Sequence, residues 1–65
     1  MIPVASSDVA AIGFYNDVVQ VQFLSGAVYQ YFNVPKSVFD NFLSSASKGK
    51  FVHYVLSTYS YKRIR

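Results

Sequence analysis

One histidine, His53, and three carboxylates, Asp8, Asp17 and Asp40, are the whole side-chain supply for acid–base chemistry near neutral pH in this sequence. General acid–base catalysis needs such groups within hydrogen-bond reach of one substrate atom. Their placement argues against that use. Asp17 belongs with Asn16 to a turn signal, and Asp40 falls on the polar side of a helical pattern. Serines are abundant, but no nucleophile-elbow sequence supports a Ser-His-Asp arrangement. One imidazole and three scattered carboxylates match no metal-ligand spacing. Cysteine is absent, which excludes disulfides and thiolate zinc sites. Gly13, Gly26 and Gly49 fall singly in a strand, a turn and a helix start, so no loop cradles a phosphate. The expectation is a non-enzyme with no cofactor and no metal.

Binding chemistry is better supplied. Residues 1–33 carry only Asp8 and Asp17, whereas residues 34–65 carry six cations against Asp40, so a half of charge −2 precedes a half of charge +5. A basic half attracts nucleic acid, anionic membrane or acidic protein, and it also serves as a plain solubilising surface. Lys50, His53, Tyr54 and Ser57, with Tyr61 beyond, recur at helical spacing and would align into one stripe. Lys48 stands at its start, and Lys62, Arg63 and Arg65 at its end. Cations interleaved with aromatic rings suit a surface that tracks a nucleic-acid backbone. Lys48, Lys50, His53, Tyr54, Lys62, Arg63 and Arg65 are therefore the candidate nucleic-acid-binding residues. The competing reading is an ordinary solvated helix face. A second candidate is the pair Tyr29 and Tyr31. Facing solvent beside Gln20 and Gln22, these rings would stack on unpaired bases; facing inward, they would fill the core.

Which way they face depends on the elements that carry them. Ala10, Ile12 and Phe14 alternate, Asn16-Asp17 supplies a turn, and Val19, Val21 and Phe23 alternate in return. A two-residue turn pairs Phe14 with Val19, Ile12 with Val21 and Ala10 with Phe23, all on one face. Ser25-Gly26 then leads into a third strand, residues 27–32. A tight turn there would bury Val28, Gln30 and Phe32. A type I turn with Gly26 as a left-handed bulge would pair Phe23 with Ala27 and send Tyr29 and Tyr31 to the core. Glycine suits the bulge and Gln30 is an awkward core residue, so the bulge is the favoured form.

Pro35 ends the strand and opens a first helix with Val38, Phe39, Phe42, Leu43 and Ala46 as its apolar stripe. Ser47 is the expected N-cap of a second helix, whose apolar face is Phe51, Val52, Val55, Leu56 and Tyr59. The tail 60–65 extends the helix, adds a strand or frays. The expected architecture is α+β: a three-stranded antiparallel meander, then two short helices on one face (βββαα), in a single domain spanning 1–65. With 65 residues the core must be dense, and 52% hydrophobic and 18% aromatic residues meet that need. No apolar run approaches the roughly 18–20 residues of a membrane span, and no basic leader precedes an apolar stretch. A cytoplasmic location is expected.

Several of these stretches together resemble the KTSC domain family: Ile12-Gly13-Phe14, the Val19/Val21/Phe23 strand, Gly26, Tyr29-Gln30-Tyr31, Val34-Pro35, and Ala46-Ser47-Lys48-Gly49-Lys50-Phe51 with Tyr59 beyond. The likeness runs from about Ser6 to Arg63. Such domains sit at the C-terminus of some lysyl-tRNA synthetases and occur as small free-standing bacterial and phage proteins. The resemblance implies the fold, and through the synthetase association it implies RNA, tRNA or single-stranded, as a partner. Tyr29 and Tyr31 match the family's central motif, which has no assigned role. The family often carries Asn where this chain has His53, and a basic residue near Ser57, so a polar site on that helix is altered here. The expected function is a small non-catalytic module binding RNA through the basic half. The alternative is a protein-interaction module or homodimer that buries exposed aromatics and strand edges.

Overall fold

The computed structural model describes residues 1–65. β2 (Val9–Tyr15) and β3 (Val18–Phe23) form the first hairpin, around Asn16 and Asp17 at φ 53° and 64°. Positive φ at both turn residues gives the type I′ geometry that matches strand twist, and Asn and Asp tolerate it better than most residues. Phe14 faces Val19 and Ile12 faces Val21, as the alternation requires.

The expected Ala10–Phe23 pair does not form. Val9 stands opposite Phe23, and Ala10 is the extra residue of a β-bulge. The bulge places the larger Val9 side chain in the core, fully buried, where the simple alternation would have placed a methyl group.

β4 (Val28–Tyr31) follows Gly26, whose φ of +97° closes the turn, with Phe23 N–H donating to Ala27 O at 2.8 Å. This is the bulged turn, and it pairs Val21 with Tyr29 and Val19 with Tyr31. Both tyrosines therefore share the core face. Tyr31 is 4% exposed and Tyr29 half-buried.

The sheet has five antiparallel strands in chain order, which corrects the expected three. β1 (Ile2–Pro3) pairs with β2, and β5 (Tyr61–Arg63) pairs with β4. Neither is long enough to show a period of two in the sequence. Both gain their bonds from a neighbouring strand whose outward groups need partners.

α1 (Lys36–Ser44) starts after Pro35, whose carbonyl accepts from Val38 and Phe39 N–H. It buries Phe39 and Phe42 and leaves Leu43 at the surface. α2 (Lys48–Tyr54) is capped by Ser47, whose side chain accepts from Lys50 N–H. It stops at Tyr54, and a 3₁₀ turn over Leu56–Thr58 follows. The Ser57 hydroxyl donates to His53 O and the Thr58 hydroxyl to Val55 O, the local bonding by which such residues compete with helix continuation.

One core joins Val9, Ile12, Val19, Val21, Tyr31, Val34, Phe39, Phe42 and Leu56 on a single face of the sheet, with Phe51 and Val52 of α2 packed against it. Phe14 stacks on Phe39 and Phe42 on Phe51, at 5.0 and 4.9 Å. No helix is long and apolar enough to cross a membrane. Tyr31→Ala should cost about 3–5 kcal/mol, as large aromatic truncations in cores do, which approaches the whole stability of a domain this small. Denaturant unfolding of the variant measures it, and a variant as stable as the parent would place the ring in solvent.

Candidate nucleic-acid interface

The cations and rings of the basic half arise on three separate elements. Because α2 ends at Tyr54, the stripe expected to run from Lys50 to Tyr61 is broken. Lys50, His53 and Tyr54 are exposed on α2, with the His53 imidazole edge-on to the Tyr54 ring at 4.8 Å. Ser57 lies in the 3₁₀ turn. Tyr61 lies on β5, opposite Tyr31 and beside Tyr29, with ring centroids 5.6 and 6.0 Å away.

Lys62, Arg63 and Arg65 travel with β5 and are all exposed. Strand alternation divides them. Arg63 stands opposite Tyr29, so it shares the helix-bearing side, while Lys62 stands opposite Gln30 on the other side. The Arg63 Nε donates to Arg65 O at 2.9 Å. The single ion pair, Lys36–Asp40 at 3.0 Å, lies on α1, so the β5 cations face no carboxylate.

Lys48 departs from the group. It is 9% exposed, and its Nζ donates to Ser45 O at 2.5 Å, so it braces the loop between the helices. Gly49 has an equally structural place, since a Cβ there would come within 2.7 Å of the Asp8 carboxylate oxygen. In the Ser-Lys-Gly-Lys segment, Ser47 caps, Lys48 braces, Gly49 admits Asp8, and Lys50 alone is left free at the surface.

The tyrosine cluster shows in one ionisation. Burial, and then the neighbouring Tyr29 and Tyr61 hydroxyls, raise the Tyr31 pKa above the ordinary 10.0. Gln20, Gln22 and Gln30 fall on the sheet face that no helix covers, opposite in sense to the tyrosines. Gln30 Nε2 donates to Gln20 Oε1 at 3.0 Å. The sequence places Gln20 and Gln22 on the open face by their alternation with Val19, Val21 and Phe23, but as neighbours of outward tyrosines and not as contacts themselves.

No hydrogen bond or ion pair joins any two of the four acid–base side chains. His53 is on α2, Asp8 lies against Gly49, Asp17 is in the hairpin tip and Asp40 bonds Lys36. No cluster of three metal-ligating side chains forms.

Two outcomes follow. Lys48→Ala should lower stability by about 1–2 kcal/mol through lost stem packing, whereas Lys50→Ala should stay within about 0.5 kcal/mol, and thermal melts of both variants test the contrast. A folded-state pKa above the unfolded value means that protonated Tyr31 contributes stability in full below about 10, lost as pH rises through the raised value. The melting temperature should therefore fall above about pH 10, and Tyr31→Phe should make that fall shallower.

A model of the KTSC domain matches residues 5–61. The crystal structure of a KTSC domain protein from Yersinia pestis superposes with a TM-score of 0.89 at 35% identity, covering 97% of this chain and 93% of that one. A protein from Tsukamurella paurometabola is 40% identical over 55 residues, 82% of each chain. With a family match over nearly the full length and a closely superposing KTSC structure, the chain belongs to the KTSC domain family.

Proposed function

We propose that this chain is a small non-catalytic module that binds RNA through β5 and the residues just beyond it. The observation that carries the reading is the set of exposed cations Lys62, Arg63 and Arg65, none paired with a side-chain carboxylate, beside Tyr61, which is 57% exposed on the rim of the tyrosine cluster. Phosphates supply the charge these side chains lack, and an exposed ring offers a stacking face to an unpaired base. Lys50, His53 and Tyr54 form a second, smaller patch on α2. Lys48 is not one of the proposed contacts, because it is buried and its ammonium bonds Ser45 O.

Affinity for single-stranded RNA, measured by fluorescence anisotropy, should fall with salt at a slope of about −0.7 per contacted phosphate. Lys62→Ala and Arg63→Ala should each weaken all sequences alike and flatten the slope by about one contact, with the melting temperature unchanged. Absence of binding to tRNA and single strands at low salt would end this reading, because electrostatic attraction is strongest there.

A second reading rests on the edge of the sheet. Phe32 N–H bonds Ser60 O and Ile64 N–H bonds Val28 O, so alternation turns the main-chain groups of Tyr61 and Arg63 away from β4, toward solvent. An extended acidic segment of another protein fits that edge. A second copy paired there would set like cations against one another, which edge lysines and arginines ordinarily prevent. Strand addition predicts bound peptide with little salt slope.

A further inference from the structure

We infer that the uncovered face of the sheet is where unpaired bases lie, with Gln20, Gln22 and Gln30 hydrogen-bonding their edges. This rests on the RNA reading above and adds where the bases go. Register places Gly13, Gln20, Gln30 and Lys62 in one row across four strands, and Ala11, Gln22 and Val28 in the row beside it. Both helices pack on the opposite side, so no helix covers these rows; Lys62 is exposed and the three glutamines are half-buried, while Val28 is covered, at 4% exposed.

The face is not flat. The molecule's largest surface depression touches Met1, Gly13, Tyr15, Gln20 and Gln30, and it reaches Phe14 and Phe39 of the helix-bearing side as well. A smaller one on the far side of Met1 and Gln20 runs over Gln22 and Val28 to Ile64 and Arg65. Met1 stands between them, its thioether accepting from Gln20 Nε2 at 3.4 Å and its chain lying against Gly13, where a Cβ would come within 3.1 Å.

The chemistry of the groove fits a single strand of nucleic acid. Amide groups both donate and accept, which is what base edges require, and the Gln20–Gln30 bond leaves each amide further groups free. Tyr15, Met1 and Ile64, 84%, 58% and 45% exposed, offer apolar surface to base faces. Lys62 and Arg65 stand at the β5 side, where a backbone would pass. No carboxylate opposes it. Asp40 is paired on α1, Asp8 is against α2, and Asp17 is confined to the hairpin tip. A duplex keeps its base edges paired and has no such fit, so within the RNA reading the ligand is a single strand.

The test compares a single-stranded RNA octamer, its duplex and a heparin fragment against ¹⁵N-labelled protein. The single strand should shift the side-chain amide signals of Gln20, Gln22 and Gln30, and heparin should shift only backbone signals near β5 and α2. Gln30→Ala and Gln22→Ala should each weaken the octamer about threefold to tenfold, the worth of a hydrogen bond, and leave heparin binding as it was. The same spectra report whether each variant is folded. Octamer binding that leaves the glutamine signals and both variants unaffected would overturn the inference while the cationic reading stands. Equal binding of octamer and duplex would overturn it as well. Failure of octamer and heparin alike at low salt would remove both readings.

Discussion

Gly26 holds a backbone angle of +97° that residues with a Cβ rarely adopt, and through it the turn from β3 to β4 takes one residue more than a tight hairpin would. That extra residue sets the side of every residue in β4. A slip of one position would turn Tyr29 and Tyr31 to solvent and bring Gln30 into the core. With the bulge in place, the tyrosines join Val19 and Val21 on the buried face, and the glutamines of β3 and β4 line up on the open one. One turn thereby decides what β4 adds to each face of the sheet, tyrosines to the apolar side and Gln30 to the amide side.

The buried tyrosines in turn prepare the end of the chain. Tyr29 and Tyr31 present ring surface at the β4 edge, and Tyr61 covers part of it while β5 satisfies the outward main-chain groups of β4. The short α2 makes this possible. Had the helix run on through Ser57 and Thr58, Tyr61 would not have reached the sheet. Hydroxyls bonded back to His53 O and Val55 O end it in time. The cations of the tail are thereby carried from a helix stripe to a sheet edge.

Much of this was legible in the residues. Alternation gave the first hairpin, Gly26 and the awkwardness of a buried Gln30 favoured the inward tyrosines, and Pro35 and Ser47 marked the two helix starts. The bulge at Ala10 was not legible, because alanine and valine both fit the pattern and only core volume decides between them. β1 and β5 were not legible because two or three residues carry no period, and their pairing depends on neighbours. The candidate site was misread for related reasons. Lys48 reads as a surface cation until the inter-helix loop closes on it, and the stripe from Lys50 to Tyr61 presumes a helix that Ser57 and Thr58 interrupt. The family motif around Lys48 and Gly49 is largely architectural, so its match speaks to the fold.

The division of the sheet into a tyrosine face and a glutamine face is the claim on which the functional reading stands, and the solvent access of individual tyrosine rings tests it most directly. In photochemically induced nuclear polarisation with a flavin dye, accessible rings give enhanced signals and buried rings give none. Tyr15, Tyr54 and Tyr61, 84%, 70% and 57% exposed, should be enhanced, and Tyr31, 4% exposed, should be silent. A strongly enhanced Tyr31 signal from folded protein would mean that β4 is turned the other way, with Gln30 in the core and the row of three glutamines broken.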